Sequence, residues 1–355
     1  MKLLIVFQLL KLHVSCQLNS TLECKNTNFK YYFCIELITI SVLTNYKIDL
    51  VYLWVDGNDP KWFEKKLTFT GVLVDTSEGN NKGRYVSNDE LKYSLRSVEK
   101  NIPWINKIYI VTDDQYPQWL NRDNPLVKIV DHKEIMPEEA LPCFNSSVIE
   151  YFLYKIPNLE ERFLLVNDDM FFNNELSQDY FFKDDGLAIV RLKKKFFRKN
   201  HYKIKKFLGK KLGQYITMVT DGAKYIENEF GIYYSGIPHH NADAYNRSTY
   251  KYAIENLFAT KVKESVSSHT RKYGDLHRST ISYYALAAGK AHLKYVGRKQ
   301  SSRINVSSKN YYKYMKRYNP DLFCLNDNQR AKDTDRIKIK PFLESLFPEK
   351  SSFEL

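Results

Sequence analysis

The sequence predicts an α/β fold built around a mostly parallel sheet, and three observations lead to this prediction. Short apolar runs rich in β-branched residues, typical of buried strands, alternate with stretches whose apolar residues have helical spacing. Three of the four predicted strands end in acidic loops. Strand–helix alternation is typical of parallel sheets, whose ligands bind beyond the carboxyl ends of the strands. We therefore expect the acidic loops to meet at one edge of the sheet.

The acidic residues follow the predicted strands directly. The predicted strands cover residues 48–54, 107–112, 127–130 and 162–166. The acidic pairs are Asp56 and Asp59, Asp113 and Asp114, and Asp168 and Asp169. Carboxylates are suitable ligands for a divalent cation, and the chain has no Gly-rich phosphate loop. The pattern thus predicts a cation that holds a pyrophosphate at this edge.

Two capping boxes mark predicted helix starts, Ser87 with Glu90 and Ser147 with Glu150. The first is followed by helically spaced apolar residues up to residue 102, and the second by a short amphipathic segment, 149–156. Further helices are predicted at 249–258, 279–288 and 341–346, and a polar loop at 71–83. In this interpretation Glu150 reaches back to the backbone of Ser147.

The net charge of +13 favours anionic partners such as phosphates, nucleotides, acidic glycans, membranes or nucleic acid. The densest basic stretch is a predicted insertion at 191–211, where lysines and arginines are interleaved with Phe and Tyr. It is interpreted as a solvated loop, as a surface for an anionic acceptor or a membrane, or as a nucleic-acid site. No nucleic-acid recognition motif accompanies the charge, which argues against the last. The five cysteines include no Cys-x-x-Cys pair, so a structural zinc site is not expected.

Residues 1–47 are expected to form a leader, signal or stalk, with the folded domain at 48–350. Four Asn-x-Ser/Thr sequons, at Asn19, Asn145, Asn246 and Asn305, favour the secretory pathway or the Golgi.

Four blocks of sequence, taken in order, resemble the Stealth family of sugar-phosphate transferases. They are Ile48-Asp49-Leu50-Val51-Tyr52-Leu53-Trp54-Val55-Asp56-Gly57-Asn58-Asp59-Pro60, the run from Asn88-Asp89-Glu90-Leu91 to Asn167-Asp168-Asp169, the group His239/His240 with Arg271 and Asp275, and Cys324-Leu325-Asn326-Asp327-Asn328. The chain departs from the family pattern at Cys143, often Thr, and at Ala242, where Pro is common. The family includes the animal enzyme that makes the mannose 6-phosphate tag of lysosomal proteins, and the large inserted modules of that enzyme are absent from this sequence. The agreement in order makes the resemblance specific.

The resemblance implies a single domain with a glycosyltransferase-A-like, Rossmann-like core and helical C-terminal additions. The implied activity transfers a hexose 1-phosphate, for example N-acetylglucosamine 1-phosphate, from a UDP-sugar to a hydroxyl of a glycan or glycoprotein, with release of UMP. Mg²⁺ or Mn²⁺ is the implied cofactor. Bacterial relatives would place the enzyme at the cytoplasmic face of the membrane, and the oligomeric state stays open.

The resemblance also implies roles for particular residues. It assigns catalytic roles to Glu150, Asp169, His240 and Arg271, with Asp169 as a metal ligand and the imidazole as general base. Because His239 is adjacent, the register of the histidine stays open by one position. Asp275 is expected to orient Arg271 by an ion pair. Further metal ligands are Asp168 and Asp327, with Asn326 in support. The nucleotide-sugar side is expected to include Trp54, Asp56, Gly57, Asp89, Glu90, Arg96 and Asn167.

Two other functions fit the same residues. An ordinary metal-dependent glycosyltransferase would attack the anomeric carbon and release UDP instead of UMP. A non-catalytic module that binds glycans or nucleotides would bind without turnover.

Overall fold

The structure is a computed structural model that describes residues 46–71, 83, 85–210, 213–308, 310–328 and 330–355. The chain divides after Asn45, and the described unit lies within Tyr46–Leu355. The predicted leader (except its last two residues), the Asn19 sequon and most of the predicted loop at 71–83 lie outside the described residues.

The described residues form these strands: β1 Ile48–Leu53, β2 Ile108–Thr112, β3 Val127–Asp131, β4 Arg162–Asn167, β5 Met170–Phe172, β6 Ala188–Lys193, β7 Ile237–Pro238, β8 Asp243–Asn246, β9 Ala291–Tyr295, β10 Ser301–Asn305 and β11 Leu322–Asn326. The α-helices are α1 Pro60–Thr70, α2 Glu90–Asn101, α3 His132–Ile135, α4 Ser146–Tyr151, α5 Arg198–Phe207, α6 Gln214–Phe230, α7 Arg247–Tyr252, α8 Ala259–Ser265, α9 Ser279–Ala287, α10 Tyr311–Tyr318, α11 Asp333–Arg336 and α12 Ile339–Leu346. None of these helices is long and apolar enough to span a bilayer.

The main sheet has the strand order β3-β2-β1-β4-β8. Its first four strands are parallel, and β8 runs antiparallel to β4. The described residues also form two three-stranded sheets, with the strand orders β10-β11-β5 and β7-β6-β9. The predicted α/β class with a mostly parallel sheet is confirmed. The C-terminal part contains strands β10 and β11 besides the expected helices.

Alternate residues of the central strands face two different cores, as the two-residue period of a strand requires. Leu50 and Tyr52 of β1 pack on one face with Leu91 and Leu95 of α2. Val51 packs on the other face, with residues of α4 and α9. Both faces are therefore covered, which explains why these strands carry apolar residues on both faces.

The carboxyl ends of β1, β2 and β4 lie side by side, because these strands are paired in parallel register. The acidic loops that follow them thus reach the same edge, as expected. Two of the three acidic pairs serve the local structure there. Gln115 donates to Asp59 Oδ2 at 2.8 Å and to the Asp56 carbonyl at 3.0 Å, and Lys65 pairs with Asp113 at 2.9 Å. The third pair, Asp168 and Asp169, meets a different set of residues.

Candidate active site

The carboxylate of Glu90 lies buried beside the Asp168–Asp169 turn. Helix α2 begins at Glu90 itself, after Asp89 in a left-handed conformation with φ 66°. Glu90 accepts from the backbone nitrogen of Asn88 at 2.5 Å and from its Nδ2 at 2.7 Å. The predicted capping box with Ser87 is therefore wrong: Glu90 opens the helix and turns towards β4.

Three carboxylates gather at this point, those of Glu90, Asp168 and Asp169. Burial raises the pKa of Glu90, and the charge of Asp169 adds to the effect. Burial, then the charges of Asp169 and Glu90, raise the pKa of Asp168 well above its usual range. The repulsion among these acids is the kind that a bound cation relieves.

Strand β11 fixes the position of Asp169 from the C-terminal side. The thiol of Cys324 donates to Asp169 Oδ2 at 3.1 Å, and the backbone nitrogen of Leu325 donates to the Asp169 carbonyl at 2.9 Å. Two basic side chains, Arg303 and Lys193, also lie near Cys324. The charge of Arg303 lowers the pKa of Cys324 and the pKa of Lys193, although burial is the larger influence on both. An acidic group thus borders on cations that suit an anionic ligand.

Arg278, which the sequence did not single out, connects several site residues. Its guanidinium donates to Glu150 Oε1 at 3.0 Å and to Asp243 Oδ2 at 3.1 Å, with Asn167 Oδ1 at 3.5 Å. Burial opposes its charge, but the two carboxylates outweigh burial and raise the pKa of Arg278. Arg278 therefore ties β4, α4 and β8 together as a permanent cation.

Glu150 is not a capping residue, contrary to one expectation. Helix α4 is capped by Asn145, whose Oδ1 accepts from the Ser147 nitrogen at 3.1 Å. Glu150 is 6% exposed, and its side chain contacts Arg278 instead. Burial raises the pKa of Glu150, and Arg278 and Arg271 oppose the shift. The carboxylate is thus held inside the site between two arginines.

The two histidines occupy different environments. His239 is fully buried, with Nδ1 2.9 Å from Ser301 Oγ and Nε2 3.3 Å from Asp243 Oδ1. Burial lowers its pKa, so its imidazole is neutral at neutral pH. His240 is partly exposed, has a left-handed backbone with φ 65°, and packs edge-on against Tyr215. Of the two, His240 has the access that a base for an incoming hydroxyl needs.

Arg271 reaches α4 through a loop that wraps around Asn145. Nδ2 of Asn145 donates to Asp275 Oδ2 at 2.8 Å and lies near the carbonyls of Ser268 and Thr270, at 3.4 and 3.3 Å. Arg271 then donates to Ser146 Oγ. The loop places its guanidinium beside the buried Glu150.

The expected ion pair between Asp275 and Arg271 is not formed. The Asp275 carboxylate accepts instead from Asn145 and from the backbone nitrogen of Lys272, at 2.9 Å. Asp275 is buried and stabilises the loop, whereas Arg271 points to α4.

Several residues expected at the nucleotide-sugar side have structural partners. Trp54 lies in the core, 8% exposed. Gly57 permits close approach of the Tyr85 backbone, since an added Cβ would lie 2.5 Å from the Tyr85 carbonyl oxygen. Asp56 accepts from the Asn58 nitrogen at 2.9 Å, and Asp89 pairs with Lys340 at 3.1 Å. Contacts within the protein therefore account for these four residues, and no bound ligand is needed to explain them.

Arg96 also departs from its expected role. It forms a two-pronged ion pair with Glu354, at 2.8 and 2.9 Å, and donates to the Phe347 carbonyl at 2.9 Å. Arg96 therefore holds the C-terminal segment on α2, and its guanidinium is not directed at a phosphate.

Asp327 and Asn326, from the fourth block, contact residues other than Asp169. Arg336 binds both carboxylate oxygens of Asp327, at 2.6 and 3.0 Å, and Asn326 contacts Asn305 Oδ1 at 3.4 Å. Among the described residues, no group of three or more His, Cys, Asp or Glu side chains is arranged to hold a metal ion. Glu90, Asp168 and Asp169 therefore do not form a complete ligand cluster by themselves, and the expected set with Asp327 is not assembled either.

The residues that the sequence interpretation missed are Lys193, Tyr215, Asp243, Arg278 and Arg303. The Tyr215 ring packs edge-on against the rings of His240 and His277, with distances between ring centroids of 5.9 and 5.3 Å. Arg278 lies seven residues after Arg271 and three after Asp275, just beyond the third block, and this proximity was the one available signal. In a chain with 54 lysines and arginines, position alone does not distinguish it.

Three conserved regions of Stealth proteins match the chain: conserved region 1 at residues 46–71, conserved region 2 at 84–190 and conserved region 4 at 315–355. The chain is 32% identical to the capsular polysaccharide phosphotransferase fcs1 of Haemophilus influenzae, over 80% of this chain and 79% of the relative. It is 31% identical to the capsular polysaccharide phosphotransferase WcwK of Streptococcus pneumoniae, over 86% and 98%. The fold and the sequence together define a sugar-phosphate transferase. The chain belongs to the Stealth family.

Other similarities cover less or are more distant. The exopolysaccharide phosphotransferase cps2G of Lactiplantibacillus plantarum is 46% identical, and the match spans 40% of this chain and 41% of that protein. The crystal structure of the galactosyltransferase LgtC with donor and acceptor sugar analogues matches with a TM-score of 0.42 and 11% identity, over 85% of this chain and 96% of that one.

The relatives bear on the expected location. These three named relatives are bacterial proteins, and none of them supports the Golgi. Two of the four sequons are also buried: Asn145 is 0% and Asn246 is 8% exposed, and both side chains bond within the protein. Neither asparagine is accessible to a glycan in the folded chain.

Proposed function

We propose that the chain transfers a hexose 1-phosphate, such as N-acetylglucosamine 1-phosphate, from a UDP-sugar to a hydroxyl of a bacterial surface polysaccharide. The acceptor oxygen attacks the phosphorus that carries the sugar, the bond from this phosphorus to the UMP oxygen breaks, and UMP leaves. The observation that carries the proposal is the convergence of a buried acidic group, Glu90 with Asp168 and Asp169, and basic side chains from β6 and β10. The names of the relatives, capsular and exopolysaccharide phosphotransferases, support this acceptor class and a bacterial setting.

Asp169 and Asp168 are the proposed ligands of Mg²⁺ or Mn²⁺. Their donor set fits, because Mg²⁺ is commonly held by one or two carboxylates with phosphate oxygens and water completing the shell. The raised pKa of Asp168 fits a site where neighbouring carboxylates repel one another. A bound cation would neutralise the pyrophosphate and polarise the phosphorus under attack.

The protein's own groups supply the remaining tasks. His240, partly exposed and aligned by Tyr215, takes the acceptor's proton at an imidazole nitrogen. Arg271 compensates charge on the phosphoryl oxygens as the bond to UMP breaks. Arg278 fixes Glu150 next to Arg271, and its charge offsets part of the rise in the pKa of Glu150 that burial causes. Lys193 and Arg303 bind the donor's phosphates.

The test is nucleotide release from UDP-N-acetylglucosamine with polysaccharide acceptor fragments, with Mg²⁺ or with EDTA. Asp169→Asn is expected to lower the rate by about a hundredfold to a thousandfold, the loss typical of one electrostatic contact to the transition state. Asp123→Asn, a surface change of the same kind, is the matched control and should leave the rate unchanged.

The products separate this proposal from its alternatives. UMP and a phosphodiester-linked sugar, lost with EDTA, would support it. Release of UDP would identify an ordinary glycosyltransferase, and binding of the nucleotide sugar without turnover would favour a binding module. UMP release unaffected by EDTA would remove the cation from the mechanism.

A further inference from the structure

The basic stretch forms an arm whose apolar side chains lie in water. We define the basic–aromatic arm as residues 194–210, which comprise α5, the four residues before it and the three residues after it. Five large apolar side chains in it are exposed: Phe196 75%, Phe197 77%, Ile204 56%, Phe207 90% and Leu208 56%. Such a concentration of exposed apolar surface in one short segment is unusual and marks an interaction site.

Helix α5 has one face that packs on the protein and one that does not. Arg198 is buried and donates to the carbonyls of Tyr234 and Val219, the latter at 3.5 Å. Lys199 pairs with Glu227, and the Lys224 ammonium lies 3.6 Å from the Tyr202 ring centroid. The inward face is therefore docked on α6. Ile204, Phe207 and Leu208, spaced i, i+3 and i+4, share the outward face.

The arm also carries a dense positive charge. Lys194, Lys195, Lys203, Lys206 and Lys210 are exposed. The sequence from 191 to 211 contains no Asp or Glu. Of the acids on α6 opposite the arm, Glu227 is paired with Lys199, and Asp221 lies 3.6 Å from the ammonium of Lys224. The lysines at the outer surface thus keep their charge for an external anionic partner.

We propose that the basic–aromatic arm docks on an anionic membrane surface. The Phe and Ile side chains would enter the boundary between headgroups and acyl chains, and the lysines would contact the lipid phosphates. A soluble polyanion would neutralise the lysines but leave Phe207 in water, so the apolar side chains favour a lipid surface. This inference stands on the arm alone and does not depend on the proposed transfer reaction.

The test is flotation of the full chain with vesicles of phosphatidylcholine alone or with added phosphatidylglycerol. Wild type should bind the anionic vesicles only, and binding should weaken as salt rises. The triple change Lys203→Gln, Lys206→Gln and Lys210→Gln should lower the partition coefficient by roughly a hundredfold, about fivefold for each lysine. The triple change Ile204→Ser, Phe207→Ser and Leu208→Ser should also abolish binding. All six side chains are exposed, so both variants should fold as wild type does.

The matched control lies on α10, whose exposed face also combines an aromatic residue with lysines. The changes Tyr312→Ser, Lys313→Gln and Lys316→Gln should leave vesicle binding unchanged. Wild type that fails to bind anionic vesicles, or an α10 variant that loses binding as the arm variants do, would overturn the proposal. It would also be overturned if dextran sulfate bound the serine variant as tightly as wild type while vesicles bound neither, which would identify a polyanion site.

Discussion

Arg278 donates to Glu150 at 3.0 Å inside the protein, although 128 residues separate the two in sequence. The same guanidinium holds Asp243, whose other oxygen faces His239. Arg278 therefore fixes Glu150, which lies next to Arg271. Through Asp243 it also fixes His239, the buried neighbour of His240. Removing one partner of such a pair leaves an uncompensated buried charge, which is more costly than losing the pair as a whole.

Arg278→Met should consequently lower the free energy of unfolding by about 3–5 kcal/mol, measured by urea denaturation. Transfer activity should be lost as well, because Glu150 and Asp243 repel each other without the cation. Adding Glu150→Gln to Arg278→Met should restore part of the stability but no activity. Arg317→Met, at an exposed position, is the control. An Arg278→Met protein as stable as wild type would refute the role of this cation.

Asn145 and Asp275 form a hydrogen bond, at 2.8 Å, that orders the loop carrying Arg271. Asn145→Asp would place two carboxylates in contact in a buried site. We expect a stability loss of about 2 kcal/mol, within the range for disrupting buried hydrogen bonds, together with a lower kcat. Urea denaturation and the rate of nucleotide release measure the two effects.

The exchange of both residues provides the sharper measurement. In Asn145→Asp with Asp275→Asn, an amide again faces a carboxylate, so stability should recover relative to Asn145→Asp alone. A double variant no more stable than the single one would show that the pair does not act as a unit.

Much of the fold was predictable because its signals are local. All four predicted strands of the main sheet are present, and so is the parallel arrangement that brings the acidic loops to one edge. The nearly continuous apolar runs of β1 and β4 follow from burial on both faces. The predicted helix at 249–258 is present as α7, followed by a turn of π-helix at Ala253–Leu257.

The errors concern residues whose partners are distant in sequence. Both capping boxes failed, because Asn145 caps α4 and because Glu90 is the first residue of α2 and not its third. The side chains of Glu150 and Glu90 instead face Arg278 and Asp169, which are distant in sequence. Arg96 has a phosphate-binding chemistry, but its carboxylate partner lies 258 residues away. A tertiary contact of this kind outweighs a local preference of about 1 kcal/mol, and it leaves no mark on the neighbouring sequence.

The pair of Arg96 and Glu354 gives a prediction that separates structure from binding. Burial opposes the charge of Glu354, but hydrogen bonds from Arg96 and Ser351 lower its pKa to about 2. Arg96→Ala should cost about 3 kcal/mol of stability, as breaking a buried ion pair does. The KM for the nucleotide sugar should stay unchanged at a temperature where the variant is folded. A raised KM without loss of stability would instead show that Arg96 contributes to binding of the nucleotide sugar.

His132 is the clearest source of pH-dependent stability outside the site. It is buried in α3, where burial lowers its pKa to about 4 and outweighs the charges of Asp113 and Asp131, while Lys65 adds to the lowering. The folded protein therefore keeps His132 neutral, whereas the unfolded chain takes up a proton below its ordinary pKa of about 6.5. Between these two values the unfolded state binds more protons, so stability falls as the pH falls.

From pH 7 to pH 5, this one group should remove about 2 kcal/mol of stability. His132→Phe, which has no titrating group, should lose that much less than wild type over the same interval. Urea denaturation of both proteins at the two pH values measures the difference, and His201→Phe, at an exposed histidine, should follow wild type. Parallel losses in wild type and His132→Phe would mean that the folded protein protonates His132 as readily as the unfolded chain does, and the acid sensitivity would then have to come from the carboxylates.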